Sequence, residues 1–240
     1  MAQSFVIWNG IDCRSMGVNL RGPVPIVRPE ERVRHVEIPG QSGDLTETEG
    51  ENIFNSYIQT ASISARDGIN VRNVFKWLRG SGYVTFSGEP DRKQAARIIG
   101  AVTLNKHSRN LDKWVGEVQF YCQPLKELLR EEPVTIIESG ATVRNNGDVD
   151  AQPRITVNAG AAGQDITITI GGKSLRINMT GMLDTGCVVD CKSKMVVNYS
   201  GAANLTHLSS GEFPVLAPGD NTVTYANASS LDFERRERYL

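Results

Sequence analysis

The sequence predicts a mainly β protein with two domains: an α+β domain over residues 1–130, with one short helix on a β-sheet, and a β-sandwich over residues 131–240. Three observations support this prediction. Apolar residues recur with helical spacing in one place, near residues 70–79. Alternating apolar and polar residues recur through the first half. Beyond Pro133, short β-prone runs are separated by clusters of Gly, Asn and Pro, which is typical of a sandwich.

The first half begins with an alternating run that ends in a tight turn. Phe5 and Ile7 alternate with other residues before Asn9-Gly10, a dipeptide that favours a two-residue hairpin turn. The sequence around Glu47 to Glu51 predicts a flexible acidic loop. Further strands are predicted at residues 57–65, 83–86, 97–104 and 115–121.

One short helix is predicted between the strands of the first half. Its apolar stripe consists of Val71, Val74, Phe75 and Leu78, at positions i, i+3, i+4 and i+7. Asp67 or Asn70 can cap its start, and Gly80 can end it. Such a stripe needs an apolar surface to cover, which the neighbouring strands supply.

The pattern of residue types along the sequence changes after Pro124. Residues 125–132 are charged and predict a connecting turn, with a brief helix as an alternative, and Pro133 prevents its continuation. Strands are predicted at residues 134–137, 155–158, 166–170, 175–178, 187–190, 195–199, 222–225 and 231–234.

The charge balance gives no field that would attract nucleic acid or an anionic membrane. The chain has 240 residues, with 26 basic and 27 acidic side chains and a net charge of −1. No apolar run approaches the roughly 18 residues of a membrane span, and the first residues do not resemble a signal peptide. We therefore expect a soluble protein that is synthesised in the cytoplasm of its host.

The cysteines raise the question of a metal site. There are four, and Cys187 and Cys191 are close enough in sequence to share a metal ion. A second pair of close ligands is missing, because the three histidines are isolated from one another. Free cysteine is among the most buried residue types, so we predict apolar core positions with neither a disulfide nor a metal.

Three segments have a possible chemical role beside an ordinary structural one. Residues 171–174, Gly-Gly-Lys-Ser, resemble the end of a phosphate-binding loop, but the first glycine of that motif is absent, and a hairpin turn fits better. Residues 89–92 favour a turn with a solvated ion pair, or a contact between subunits. The basic residues Lys106, His107, Arg109 and Lys113, near Trp114, form a patch that could bind phosphate, lie in a solvated hairpin or contact an acidic neighbour.

The sequence contains no recognisable arrangement of catalytic residues. A nucleophile with its base is not evident, nor is a pair of carboxylates in a known arrangement, so we predict that the protein is not an enzyme and uses no cofactor. The rival hypothesis is a carbohydrate- or receptor-binding module, because sandwiches can bind sugars through exposed aromatic side chains. The candidates for that role are Tyr199, Phe213, Tyr225, Phe233 and Tyr239.

Several motifs occur in an order that is typical of one protein family. The first half has Phe5 to Gly10, a Pro39-Gly40-x-x-Gly43 loop, Trp77-Leu78, a turn in Phe86 to Arg92 and an aromatic strand end in Phe120 to Pro124. The second half has Val188 to Val196, with a Lys-rich turn, and Phe213 to Asn221, Phe-Pro-x-Leu-x-Pro-Gly-Asp-Asn. In this order, the chain resembles the distal tail proteins of long-tailed, non-contractile bacteriophages.

This resemblance implies a structural role in the tip of a phage or prophage tail. It implies a belt-like first domain that assembles into a homo-hexameric ring and a galectin-like sandwich that faces outward. The ring would join the tail tube protein to the tail-tip hub protein, with receptor-binding proteins as further candidate partners. Genomic DNA would pass through its central channel. Residues 133–240 leave room for a plain sandwich without an inserted sugar-binding module.

The candidate residues for the contact between subunits are two arginines. Arg92 lies in the Pro-Asp-Arg turn, and Arg109 lies in the basic hairpin. Both are expected to face an acidic neighbour in the ring.

Overall fold

The computed structural model describes residues 4–107, 110–161, 163–180 and 186–240. The chain divides into two compact units. The first domain comprises the residues up to Leu129, together with Leu240, and the second domain comprises Arg130–Tyr239. Each domain has its own cluster of buried apolar side chains.

The described residues of both domains are dominated by strands, as predicted. The first domain contains β1 (Val6–Trp8), β2 (Ile11–Asp12), β3 (Val18–Leu20), β4 (Val33–Glu37), β5 (Asp44–Thr48), β6 (Tyr57–Arg66), α1 (Val71–Trp77), β7 (Ser81–Phe86), β8 (Arg92–His107) and β9 (Asn110–Leu128), with a 3-10 helix at Cys13–Met16. The second contains β10 (Val134–Ile136), β11 (Thr142–Asn145), β12 (Arg154–Ala159), β13 (Ile166–Ile170), β14 (Lys173–Ile177), β15 (Gly186–Asp190), β16 (Met195–Asn198), β17 (Ser209–Gly211), β18 (Gly219–Ala226), β19 (Ala228–Glu234) and β20 (Arg238–Tyr239), with a 3-10 helix at Thr206–Leu208.

The main sheet of the first domain is antiparallel, with the strand order β2-β1-β7-β8-β9-β6-β3. Its core is built around Trp8 and Phe120, whose ring centroids lie 5.5 Å apart. The helix α1 packs on this core, and the indole Nε1 of Trp77 donates a hydrogen bond of 3.2 Å to the carbonyl oxygen of Trp8. The buried face of the sheet and the helix together form the α+β layout that the sequence predicts.

The first hairpin turn is confirmed. Trp8 pairs with Ile11, and Asn9 and Gly10 between them have φ angles of 51° and 78°. A two-residue turn needs positive φ at both central positions, which asparagine and glycine tolerate best.

The helix is confirmed, but its predicted apolar stripe is partly wrong. The side chain of Asn70 caps the start by accepting a hydrogen bond from the backbone N–H of Asn73. Phe75 is 39% exposed, whereas Trp77 is buried. The large indole of Trp77 covers the core beside Val74, so the buried face is rotated away from Phe75.

Two predicted loops are strands. The acidic segment that was expected to be a flexible loop begins within β5, which pairs with β4 in a separate two-stranded sheet. The predicted connecting turn after Pro124 was also wrong for its first four residues, which continue β9. Their backbone pairs with the start of β8, with Gln94 opposite Lys126 and Arg92 opposite Leu128.

The second domain is a sandwich of two five-stranded antiparallel sheets. Their strand orders are β10-β19-β12-β15-β16 and β11-β18-β13-β14-β17. The inner faces share one core that contains the fully buried Ile155, Ile168 and Phe233. Gly171 and Gly172 form the predicted two-residue hairpin turn, with φ angles of 57° and 78° between Ile170 and Lys173. A phosphate loop would need a helix at this point, whereas β14 follows directly.

Candidate assembly surfaces

The two-stranded sheet forms an arm, which we define as residues 33–48. Its strands pair from Val33 opposite Thr48 to Glu37 opposite Asp44. At its base, the backbone N–H of Glu49 donates to the carbonyl oxygen of Arg32 at 3.3 Å. All five residues of β5 are exposed, including Leu45 with 48% exposure. The arm is therefore fixed at its base and is largely uncovered along its length.

An uncovered two-stranded hairpin needs further packing to be stable. An isolated hairpin is marginal in water, because two strands bury too little apolar surface. In the arm, Val36 lies opposite Leu45, and Ile38 follows with 38% exposure. These three side chains form an apolar tip. A tip of this kind is stabilised when a second surface covers it.

The arm and the residues that flank its base are acidic. Residues 30–51 contain seven carboxylates and two arginines. The carboxylates are Glu30, Glu31, Glu37, Asp44, Glu47, Glu49 and Glu51. One of the two arginines, Arg32, lies 3.9 Å from Glu49. Within the arm itself, the acidic residues are Glu37, Asp44 and Glu47, and the one arginine is Arg34.

The Pro-Asp-Arg turn holds Arg92 in a partly buried ion cluster. Arg92 Nη1 lies 3.0 Å from Glu89 Oε1, and Lys126 Nζ lies 2.6 Å from Glu89 Oε2. The side chain of Lys126 is 6% exposed and that of Glu89 is 21% exposed. The expected solvated ion pair was therefore wrong, because β9 extends far enough to bring Lys126 beneath the turn. The assignment of Arg92 to a contact between subunits stays a prediction.

Uncharged polar groups line the inner side of this cluster. The hydroxyl of Tyr57 donates to Gln94 Oε1 at 3.1 Å, and Gln94 Nε2 donates to the carbonyl oxygen of Gln123. Burial raises the pKa of Tyr57 to about 12, so the phenol is neutral. The inner side of the cluster is therefore lined by neutral groups of the first domain.

The basic hairpin finds an acidic partner within its own chain. Lys106 Nζ lies 3.4 Å from Asp67 Oδ2, and Trp114 Nε1 donates to Asp67 Oδ1 at 3.1 Å. Lys106 also lies over the Trp114 ring, 5.4 Å from its centroid. The hydrogen bond from Trp114 lowers the pKa of Asp67, with a further contribution from Lys106. Asp67 therefore does not cap the helix. Arg109, the other predicted interface residue, lies outside the described residues.

The cysteines are free and buried, as predicted for apolar core residues. Cys187 and Cys191 are 0% and 2% exposed, and burial raises the pKa of each thiol to about 12. Within the described ranges, His, Cys, Asp and Glu side chains form no group of three that could hold a metal ion.

The aromatic side chains of the sandwich do not form a common sugar-binding face. Phe233 and Tyr239 are buried, and Phe213 and Tyr225 pack partly against the core. Tyr199 is 58% exposed, and its ring lies beside Gly186. One exposed ring at the end of β16 gives little support to the carbohydrate-binding hypothesis.

Sequence reasoning missed the arm, although signals for it were present. The loop of residues 39–43 contains Gly40 and Gly43, both with positive φ, between two runs that contain β-branched residues. The apolar residues are few because both faces of the arm are exposed, so alternation between apolar and polar residues is weak.

The comparisons with known proteins identify the class of the chain. Residues 146–239 match the family described as siphovirus-type tail component, C-terminal domain. The fold is similar over 100% of both chains to the crystal structure of the SPP1 Dit protein, gp 19.1, with a TM-score of 0.76 and 18% identity. It is also similar to a chain of the phage P2 baseplate in its activated conformation with Ca, with a TM-score of 0.55, 8% identity and 97% coverage of both chains. No curated protein matches by sequence.

These matches define a phage tail component built mainly from β-strands. Residues 146–239 carry the C-terminal domain of a siphovirus-type tail component, and over its full length the chain has the fold of a Dit protein, in agreement with the predicted resemblance to distal tail proteins. In the described part of the chain, no helix has the length and apolarity that are needed to cross a membrane.

Proposed function

We propose that this protein forms a hexameric ring at the distal end of a phage tail, where it joins the tail tube to the tail-tip hub. The role is structural and involves no catalysis. The partners are five further copies of the chain, the tail tube protein and the hub protein, with receptor-binding proteins on the outside. Genomic DNA passes through the central channel without specific binding, in keeping with a net charge of −1.

The family match supports the location of the protein in the virion tail. The similar SPP1 protein is described as a paradigm of the hub adsorption apparatus in phages that infect Gram-positive bacteria. Similarity over the full length of both chains supports a corresponding place for this chain. The ring of six copies follows the family resemblance.

The arm is the structural feature that supports the proposed self-assembly. It projects an apolar, acidic tip that is largely uncovered. An arm that binds a different surface on the next copy makes a head-to-tail contact, and such contacts close into a ring when the rotation between copies allows it. Assembly through the first domain leaves the sandwich free to face outward. Arg92 and Arg109 are proposed as additional contacts.

Deletion of the arm tests this function. Residues 33–48 are replaced by Asn-Gly, which joins Arg32 to Glu49 across the backbone hydrogen bond that already connects them. We expect the intact protein to have six times the mass of the chain in light scattering and the variant to have the mass of one chain. Thermal unfolding should show that the variant keeps both domains folded.

A substitution within the arm provides a milder version of the test. Val36→Thr with Leu45→Thr keeps the strand pairing but removes the apolar tip, and Ile137→Thr is the matched control, because Ile137 is 73% exposed in the second domain. The double variant should weaken the hexamer and the control should not. A hexamer that survives deletion of the whole arm would refute assembly through this element, and an intact protein that stays monomeric with tube and hub proteins present would refute the ring.

A further inference from the structure

The outer face of α1 carries three cations around one exposed aromatic ring. Arg72 and Lys76 are four residues apart in α1 and therefore lie on one side of the helix, and Arg79 follows two residues after Trp77, where the helix ends. All three are exposed. Phe75 lies between them in sequence, and its side chain is 39% exposed. The result is a basic, partly apolar patch, which we call the α1 face.

The charges of the α1 face are unsatisfied within the chain. Among the described residues, no carboxylate lies within 4 Å of Arg72, Lys76 or Arg79. Asp67, the acid nearest in sequence, is engaged with Lys106 and Trp114 instead. Three neighbouring cations without a counter-charge favour the approach of an acidic surface.

The arm tip has the opposite charge and the same unsatisfied character. Glu37 and Asp44 lie directly opposite each other in the strand pairing. Like charges in this arrangement are destabilising, and a cation between them removes the repulsion. In the described part of the chain, neither carboxylate has a basic side chain within 4 Å. Successive side chains of a strand point to opposite faces, so Val36, Leu45 and Ile38 lie on the other face of the arm from these two carboxylates.

We propose that the α1 face is the docking surface for the arm tip of the next copy of this chain. This inference rests on the proposed ring and names the surface that receives the arm. Glu37 and Asp44, on one face of the arm, lie against the cations of the α1 face. The contact joins two different surfaces, as a closed ring of identical subunits requires.

The dimensions of the two elements are compatible with this contact. Arg72 and Lys76 are about 6 Å apart along the axis of α1, and Arg79 lies beyond its end. Two facing residues on paired antiparallel strands are about 5 Å apart, so Glu37 and Asp44 can both lie within the length of the patch. Salt bridges at the edge of a contact depend on ionic strength, so the assembly should weaken in salt unless its apolar part dominates.

A charge-swap experiment tests the pairing. Lys76→Glu with Arg79→Glu should raise the concentration at which the hexamer dissociates by about tenfold or more, because acids then face acids. Glu37→Lys with Asp44→Lys should have the same effect. The protein that carries all four substitutions should recover most of the lost assembly, because opposite charges face each other again. Lys173→Glu with Lys194→Glu, in the second domain, is the matched control.

Light scattering over a dilution series gives the result, and thermal unfolding of each variant shows that it is folded. If Lys76→Glu with Arg79→Glu leaves the dissociation concentration unchanged while the arm deletion abolishes the hexamer, the arm binds elsewhere and the inference is wrong, although the ring stands. Failure of the fourfold variant to recover assembly, when both double variants are impaired, also overturns the pairing. If the arm deletion has no effect, the proposed mode of assembly fails as well.

Discussion

The two domains differ in how completely each covers its own apolar surface. Ten of the thirteen large apolar side chains that are exposed in the described residues lie in the first domain, and three lie in the second. Both domains have a well-packed core of similar size. The difference therefore concerns the surface: the first domain leaves apolar groups that a partner can cover, and the second domain leaves few.

Asn145 of the second domain is an example of a buried polar side chain whose hydrogen-bond partners all lie in its own domain. Buried Asn145 donates to the carbonyl oxygens of Val149 and Leu216 and accepts from the N–H of Gly147. In the first domain, by contrast, the like charges of Glu37 and Asp44 face each other on an exposed arm. The first domain therefore exposes more apolar and unpaired charged groups than the second, which is consistent with the proposed assembly through the first domain.

The largest expected effect comes from separating the two domains. A fragment that ends at Leu129 should still assemble, whereas a fragment that begins at Arg130 should be a folded monomer, because each has its own core and the arm belongs to the first. Light scattering of both fragments provides the measurement. Assembly of the second fragment alone would show that the second domain, and not the first, forms the contact between subunits.

The start of the second fragment is part of this prediction. Both carboxylate oxygens of Glu131 accept hydrogen bonds from the backbone N–H of Arg236, at 2.9 and 2.8 Å, and Arg235 Nε lies 3.5 Å from the same group. A fragment that begins at Pro133 loses these contacts. It should be less stable than the longer fragment by about 1–3 kcal/mol in urea unfolding, because a partly buried backbone donor is left without its partner.

The next largest effect concerns the buried thiols of the second domain at alkaline pH. Burial raises the pKa of Cys187 and Cys191 from 9.0 to about 12. The unfolded chain therefore loses these protons first, so the stability is complete below about pH 9 and decreases as the pH rises towards 12. Between pH 8 and pH 10 the loss is on the order of 1 kcal/mol for each thiol.

A double substitution isolates this contribution. Cys187→Ala with Cys191→Ala should cost about 1–2 kcal/mol of packing energy at pH 8 and leave assembly intact. Its stability should decrease less between pH 8 and pH 10 than that of the natural sequence, because tyrosine and lysine titrate equally in both. Identical pH dependence in the two proteins would show that the thiols are accessible to solvent. Zinc in stoichiometric amount would contradict their assignment as core residues.

Local signals were sufficient to predict most of the second domain. In β13, for example, Ile166, Ile168 and Ile170 are buried and alternate with the less buried Thr167 and Thr169. Turn dipeptides such as Gly171-Gly172 mark the ends of these strands. Because the domain is closed, burial follows the pattern of the sequence. The motifs were also sufficient to identify the family of the chain.

The same local signals did not predict the parts of the first domain that depend on residues far away in the chain or that have no buried face. The continuation of β9 beyond Pro124 is stabilised by pairing with the start of β8, about thirty residues earlier in the chain. The arm has no buried face to produce a strong alternation. Trp77 is buried rather than Phe75 because the core beside Trp8 has room for the indole, and spacing alone cannot show this. The sequence pattern is thus least informative at the surface that we assign to assembly.

The last prediction tests whether the ion cluster of the first domain also takes part in the contact between subunits. Glu89→Gln removes the carboxylate that faces Lys126 and leaves a nearly buried ammonium group with weaker partners. The expected loss is about 2 kcal/mol in unfolding of the fragment that ends at Leu129, less than for a fully buried pair because Glu89 is 21% exposed. Asp91→Asn is the control, since its carboxylate is 65% exposed and lies 4.0 Å from Arg92, and it should change stability by less than about 0.5 kcal/mol.

A second substitution and a second measurement separate an internal role from a contact between subunits. Lys126→Met added to Glu89→Gln should recover part of the loss, because the unpaired charge is removed as well. If the cluster is internal, the dissociation concentration of the hexamer should be unchanged in the folded variants. If Glu89→Gln weakens the hexamer and leaves the stability of the fragment unchanged, the Pro-Asp-Arg turn and Arg92 belong to the ring contact, and the assembly surface of the first domain extends from the arm to this turn.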